Sequence, residues 1–352
     1  MDEPPMTSTA WSETDVERLD HCPLCGSPRR TLRYAGIDDW FSGAPGTWDY
    51  HECHDCGALY IDPRPTPATI GRLYEHYFTH VANAERARGW LGRLALGIRN
   101  DYVNQRYGHH RDPAVPGGRW LMYLLPPWFR WEWDHWARHL PIPAHGSNRL
   151  LDVGCGNGAF LAAARDAGWD AQGIDFDPKA VETARAQGLD VAQGGLAEQG
   201  FPDEYFDAIT VSHVIEHVHD PIALVRECIR ILKHRGRLWI ATPNADAIYH
   251  LRFQQNWFAL NPQHLILFRP ANLRQLLESS GLRVSFLRRG LHAQSHWCAS
   301  AARKAGLKGF EQICLPAFQG AKVQIRYQFI ELLVTLRKRW QGDLVVQGLK
   351  ES

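Results

Sequence analysis

The stretch VSHVIEHVHDP, Val211–Pro221, sets His213, Glu216 and His217 at spacings i, i+3 and i+4. On a helical turn these residues share one face. A later segment, NPQHL, supplies His264. Three kinds of chemistry suit such a set. A neutral imidazole near pH 7 can accept a proton. Imidazoles with a carboxylate can hold a divalent ion, although so nitrogen-rich a set is less suited to magnesium. Alternatively, Glu216 and His217 only hydrogen-bond around the next helix start, with Asp220 capping it before Pro221. The residues alone leave base, metal and structural corner open.

A second set is formed by cysteines. Cys22-Pro-Leu-Cys25-Gly26 and Cys53-His-Asp-Cys56-Gly57 are two C-x-x-C turns, each followed by a glycine that lets the chain curl under a metal-bound sulfur. Four thiolates suit tetrahedral zinc and leave no open position, so the metal is expected to be structural rather than catalytic. The 27 intervening residues make a long excursion for a zinc ribbon. An RNA-binding ribbon is the alternative, supported only by Arg29, Arg30 and Arg33. Cys155, Cys228, Cys298 and Cys314 are scattered, which in a reducing compartment fits packing better than disulfides.

The third set is LLDVGCGNGAFL, in which Gly154, Gly156 and Gly158 let a strand-to-helix turn approach a ligand. Asp175, about twenty residues on, is placed to accept from ribose hydroxyls. Gly154, Gly156 and Ala159 also satisfy a dinucleotide pattern. Asp152, before the first glycine, instead suits a cationic amino-acid group.

These residues need a scaffold that brings turns to one edge. Strands are expected at Arg149–Val153, Ala171–Ile174, Ala208–Val211 and Arg237–Ala241, with helices at Ala159–Ala167, Pro178–Gln187, Pro221–Leu232 and Pro270–Ser280. Closing strands are expected at Arg283–Leu287 and Trp297–Arg303. The alternation predicts an α/β fold with a parallel sheet. The chain divides into a flexible leader (1–20), a zinc-ribbon module (21–67) ending at DPRPTP, a helical Trp-rich cap (68–148), the α/β domain (149–305) and a helical extension (306–352). Hydrophobic content of 45% and a formal net charge of +1 over 352 residues fit a soluble globular protein and argue against nucleic acid as partner. No stretch reads as a signal peptide or a spanning helix, so a cytoplasmic location is expected.

With FDAITVSHVIEHVHDP and LKHRGRLWIATPN, residues 149–303 resemble class I S-adenosylmethionine-dependent methyltransferases, especially the ubiquinone O-methyltransferase branch. CPLCG, CHDCG and DPRP are similar to a zinc-binding extension on some methyltransferases of sugar and polysaccharide pathways. The resemblance implies a Rossmann-like seven-stranded sheet. It also implies that Asp152, Gly154 and Gly156 contact the methionine part of the cofactor, Asp175 the ribose and Phe176 the adenine. Gly195–Ala197, including Leu196, would line the adenine, although GGLAEQ departs from the acidic G-D-A of many relatives. Some relatives hold a divalent ion at the histidine cluster, with a glutamate where this chain has His213. No N-P-P-Y or D-P-P-Y follows the fourth strand, which disfavours base N-methylation.

The function expected is O-methylation of a sugar, polysaccharide or quinone-like acceptor, lipid- or nucleotide-linked sugars included. The alternatives are sugar C-methylation, a non-catalytic zinc-ribbon binding protein and a nicotinamide oxidoreductase. RWLMYLLPPWFRWEWDHWARHL, with five tryptophans, reads as cap packing, acceptor contact or a peripheral membrane surface. KVQIRYQFIELLVTLRKRW places Ile325, Phe329, Leu332, Leu333, Leu336 and Trp340 on one face, with Arg337, Lys338 and Arg339 at the end, for docking on the protein itself or on a second copy, or for binding an anionic membrane.

Overall fold

The computed structural model describes residues 11–74, 89–143, 148–290, 293–307 and 321–351. An amino-terminal module holds β1 (Val16–Glu17), β2 (Arg30–Asp38), β3 (Thr47–Cys53), β4 (Leu59–Ile61) and β5 (Arg64–Pro65). Helices α1 (Gly89–Tyr107), α2 (Gly118–Leu124) and α3 (Pro127–Trp136) form a cap. The body alternates β6 (Arg149–Val153), α4 (Ala159–Asp166), β7 (Asp170–Asp175), α5 (Pro178–Ala186), β8 (Asp190–Gln193), β9 (Phe206–Ser212), α6 (Pro221–Ile231) and β10 (Leu232–Pro243). It continues through α7 (Ile248–Phe253), β11 (Ile266–Leu267), α8 (Pro270–Ser279), β12 (Leu282–Phe286), α9 (Ala293–Lys304), α10 (Ala321–Leu336) and β13 (Asp343–Lys350).

Seven strands form the main sheet in the order β12-β13-β10-β9-β6-β7-β8. The run from β10 to β8 is parallel, and β13 is antiparallel to both its neighbours. This is the Rossmann-like class I arrangement. The chain leaves β6 in one direction through β7 and β8, then returns to the other side at β9. Ligands of open α/β sheets bind at such a reversal, outside the carboxyl ends of the strands. The glycine turn follows β6 and His213 follows β9, so both sequence motifs reach that edge.

Local sequence explains most of this body. In β6, RLLDV buries every residue but the first, as a strand covered on both faces requires. Asp177 and Asp220 accept from Lys179 N–H and Ala223 N–H and so cap α5 and α6, each just before a proline at the first helical position.

Other expectations fail for identifiable reasons. Trp297–Arg303 lies inside α9, not in a strand; its alanines favour helix, and Cys298, Ala299 and Ala302 are buried along it. The missing strand is β13, within the expected helical extension, where Leu344, Val345 and Val346 are buried in sequence because neighbours flank them on both faces. The short edge strand β8 buries only Val191 and gives no periodic signal. Along α10 the inward residues are Tyr327, Ile330, Glu331 and Val334, while Phe329, Leu332 and Leu336 are exposed, so the expected apolar face points outward. Nor are residues 11–20 loose: the Trp11 and Trp48 rings are 5.0 Å apart, and β1 pairs with β5. Residues 1–10 and Cys314 lie outside the described residues.

The cysteine module and the α/β body share a sheet of order β11-β4-β3-β2, in which Ile266 and Leu267 pair with Tyr60 and Leu59. Because β11 comes from the loop carrying His264, the module braces that loop.

Candidate active site

The glycine turn is shaped by close approaches. Gly154 has φ +72°, and a Cβ there would lie 2.3 Å from Val214 Cγ2. At Gly156, with φ +54°, a Cβ would meet no protein atom within 4 Å, so this position faces open space. Alanine at Gly156 should therefore leave folding nearly intact, with strain of about 1–2 kcal/mol from the left-handed backbone. Its methyl would intrude on whatever fills the turn. We expect cofactor affinity to fall by about tenfold or more, on the order of 1.4 kcal/mol, with a modest change in melting temperature; calorimetric titration with S-adenosylhomocysteine checks it.

Asp175 Oδ2 accepts from Gly156 N–H at 2.8 Å and Oδ1 from Asp177 N–H at 2.9 Å. Each oxygen keeps a further lone pair for a ribose hydroxyl. Phe176 beside it is 70% exposed, and its ring edge lies 3.1 Å from where a Gly195 Cβ would stand, so the two adjoin side by side at the expected adenine slot. Leu196, expected in that slot, instead buries its side chain in the core, leaving only its backbone available. Ala197 is exposed.

Asp152 is fully buried and ion-paired with Arg138, a residue that sequence reasoning missed. Thr210 Oγ1 donates to the same oxygen, Asp152 Oδ1, at 2.9 Å. Burial pushes the carboxyl pKa up, opposed by Arg138. Asp152 Oδ2 has no partner and remains able to accept from a cationic amino group. Arg138 sits just beyond α3, its guanidinium 3.6 Å from the centre of the Phe160 ring. Its sequence signal, one arginine just past a Trp-rich helix, is too weak to have identified it. The orphan oxygen, the open space at Gly156 and the Asp175 carboxylate together fit an aminoacyl nucleoside.

At the end of β9, His213 adopts φ +53°, a conformation that persists in a non-glycine residue only where its surroundings impose it. Its Nδ1 lies 3.2 Å from Glu216 Oε1, and its side chain is 40% exposed. A carboxylate only accepts, so Nδ1 is the donor and Nε2 carries the lone pair of the neutral ring. Glu216 is fully buried, and its Oε2 accepts from Thr242 Oγ1 at 2.9 Å. Burial opposes the charge on His213, but Glu216 and Asp343 outweigh it and hold the imidazole pKa above its ordinary value.

The expected four-residue convergence is reduced to three. One ligand atom each from Glu216, His217 and His264 lies within 4.8 Å of the others, and His213 stands outside this triangle. His217 Nδ1 donates to Gln263 O at 2.8 Å and His264 Nδ1 to Ala259 O at 2.7 Å. Burial lowers both pKa values, that of His264 to about 4. Both rings are therefore neutral at pH 7 with Nε2 unprotonated, and metal-ligating histidines are oriented in this way. The triangle fits a divalent ion.

Across from His213 the cap contributes polar groups that sequence reasoning did not single out. Glu132 Oε2 and His135 Nδ1, with Arg289 Nε from the segment after β12, are buried without hydrogen-bond partners. Charges on Asp343 and Arg289 act on both His213 and His135, so these groups lie near one another. Burial keeps His135 neutral and raises the Glu132 pKa. The Trp239 ring lies 5.3 Å from His135.

The amino-terminal module holds both walls of the histidine site. Tyr50 Oη donates to Asn261 O and His264 O at 2.7 and 2.8 Å, Tyr74 Oη lies 2.9 Å from His217 Nδ1, and Arg269 joins Glu52 and Gly57 O to the body. The module itself is two matching turns. Cys22 N–H donates to Ser27 O and Gly26 N–H to Cys22 O; Cys53 N–H donates to Ala58 O and Gly57 N–H to Cys53 O. Gly26 and Gly57 share φ +72°. The four sulfurs lie within 4.8 Å of one another, and a hydrogen bond from Cys56 lowers the Cys22 pKa to about 5. Four crowded thiols with one readily ionised fit a tetrahedral thiophilic metal.

Parts of the chain are similar to known proteins. Residues 128–285 match a family described as a methyltransferase domain. A ubiquinone biosynthesis O-methyltransferase of Xylella fastidiosa (strain 9a5c) is 33% identical over 160 residues, 41% of this chain and 63% of the relative. A probable S-adenosylmethionine-dependent methyltransferase of Mycolicibacterium smegmatis is 34% identical over 137 residues, 38% of this chain and 52% of the relative. The chain thus spans between half and two-thirds of these relatives. Among solved structures, an S-adenosylmethionine-dependent methyltransferase from Archaeoglobus fulgidus aligns over 58% of this chain and 87% of its own, at 22% identity and a TM-score of 0.41.

Proposed function

Residues 128–285 are a methyltransferase domain of the class I fold, and on that premise we propose that the protein transfers a methyl group from S-adenosylmethionine to a hydroxyl of a sugar-like acceptor. The observation that supports this reading best is the His213–Glu216 pair at the carboxyl end of β9, one strand from the glycine turn after β6. The cofactor supplies an electrophilic methyl on a cationic sulfur. Asp152, Gly156 and Asp175 hold and orient it, with Phe176 against the adenine. His213 Nε2 would take the hydroxyl proton as the carbon–oxygen bond forms and the carbon–sulfur bond breaks, leaving the sulfur as a neutral thioether, and buried Glu216 would stabilise the resulting imidazolium. Fixing acceptor oxygen, methyl carbon and sulfur in line is the larger contribution of the site.

The buried polar groups Glu132, His135 and Arg289, with Trp239 beside them, suit a hydroxyl-rich ring better than a quinone, whose apolar surface would leave them unsatisfied. Relatives named as O-methyltransferases support oxygen as the acceptor atom. A structural zinc on Cys22, Cys25, Cys53 and Cys56 is part of the same reading. A second mechanism is favoured by the neutral His217 and His264 rings beside Glu216: a divalent ion there would activate the acceptor hydroxyl, and a chelator would then abolish activity. Methyl-labelled S-adenosylmethionine incubated with methyl glycosides, nucleotide sugars, catechols and RNA separates the acceptor classes. Label is expected in methyl ethers of glycosides or nucleotide sugars; label confined to catechols or RNA contradicts the assignment.

A further inference from the structure

The cap ends in an apolar surface that folding leaves uncovered. The first two turns of α1 read GWLGRLA, and Trp90 and Leu91 are 73% and 62% exposed, with Leu94 exposed one turn on. On α2, Trp120 and Leu124 are 61% and 82% exposed, and Leu121, Tyr123 and Leu125 follow them. The helices are packed together: a Cβ on Gly118 would lie 2.8 Å from Ile98 Cα, and Leu94 is one turn, about 6 Å, before Ile98. The α2 set therefore starts beside the middle of α1 and runs on toward Tyr102, whose ring lies 6.0 Å from Tyr123, while Trp90 and Leu91 extend the apolar surface along the amino-terminal turns of α1. Monomers rarely expose so many large apolar residues together without a use for them.

The charges around the patch indicate what covers it. Residues 89–131 carry six arginines and two aspartates, a local charge of +4 in a chain whose formal net charge is +1. Asp101 and Arg99 are both buried, which still leaves the exposed balance positive. Arg93 is exposed, Arg119 lies over the Trp120 ring at 4.8 Å, and Arg130 lies over the Tyr123 ring at 4.7 Å. Tryptophan, tyrosine and leucine at the centre with arginine beside them match an anionic lipid interface, where apolar side chains enter the acyl boundary and cations meet headgroups. No helix among the described residues is long and apolar enough to cross a membrane, so a seat on the surface is the geometry available.

We propose that α1 and α2 dock the protein on an anionic bilayer. Docking brings α3, which follows α2 directly and carries Glu132 and His135, near the lipid surface. Co-sedimentation of the full chain with vesicles of phosphatidylcholine and phosphatidylglycerol in equal parts, and with phosphatidylcholine alone, tests this without requiring any activity. Binding to the anionic vesicles is expected, with a blue shift of tryptophan emission and weakening as salt is raised. Trp120→Ser and Leu124→Glu, both at exposed positions, should each reduce it about tenfold or more, with circular dichroism and melting temperature unchanged. Failure of the wild-type chain to bind, equal binding by both variants, or a lipid-free dimer that Leu124→Glu dissociates would each overturn the proposal.

Discussion

Replacing His213 with alanine should lower kcat by roughly 10² to 10⁴, the usual contribution of a positioned base, while affinity for S-adenosylhomocysteine stays unchanged. Its side chain is the open member of the cluster and is held at Nδ1 by Glu216. Neither residue contributes to the glycine turn, so catalysis and cofactor binding separate. The pH profile gives a second reading of the same group. Only the neutral ring accepts a proton, and the fold raises the His213 pKa above 6.5. Activity should therefore rise with pH through a transition above 6.5 and fall as the ring is protonated below it, and His213→Ala should remove that transition. If the divalent-ion mechanism holds instead, His217→Ala and His264→Ala should be as damaging, and added metal should restore chelated enzyme. Full activity in all three variants would reduce the cluster to a structural corner.

Cys53→Ser should cost more still, because it removes a ligand rather than a contact. A structural zinc supplies about 10–16 kcal/mol in small zinc modules, exceeding or matching the 5–15 kcal/mol stability of a whole domain. The variant should lose close to one equivalent of zinc, and the module should melt. The damage should not stop there. With β4 lost, β11 has no partner on that side, and Tyr50 no longer fixes the carbonyls of Asn261 and His264. Faster amide exchange at Ile61, whose N–H donates to Leu265 O, and loss of activity should accompany metal loss. Zinc-free protein with native melting temperature and full activity would refute both the metal and the bracing role.

Where a motif contains its own positioning device, the sequence was informative. The glycine turn, the Asp177 and Asp220 caps with their prolines, and the two C-x-x-C-G turns all determine their geometry within a few residues. What depends on distant partners was not legible. β13 is eight residues whose role as a sheet interior depends on β10 and β12 closing over both its faces. Ile266–Leu267 is too short to signal a strand and becomes one only against β4. Arg138 gains its meaning from pairing with buried Asp152, and Glu132 and His135 from burial near Arg289 and Asp343, far along the chain. α10 misled because its outward face is as apolar as its inward one.

The central claim is that the turn after β6 binds S-adenosylmethionine for methyl transfer, and calorimetric titration of the wild-type chain and Asp175→Ala with S-adenosylhomocysteine and with NAD tests it most directly. S-adenosylhomocysteine should bind the wild type, with NAD silent. Asp175→Ala should weaken that binding by on the order of 1.5–3 kcal/mol, the scale of hydrogen bonds to a charged group. Binding of NAD in place of S-adenosylhomocysteine, or unchanged affinity in Asp175→Ala, would contradict the account.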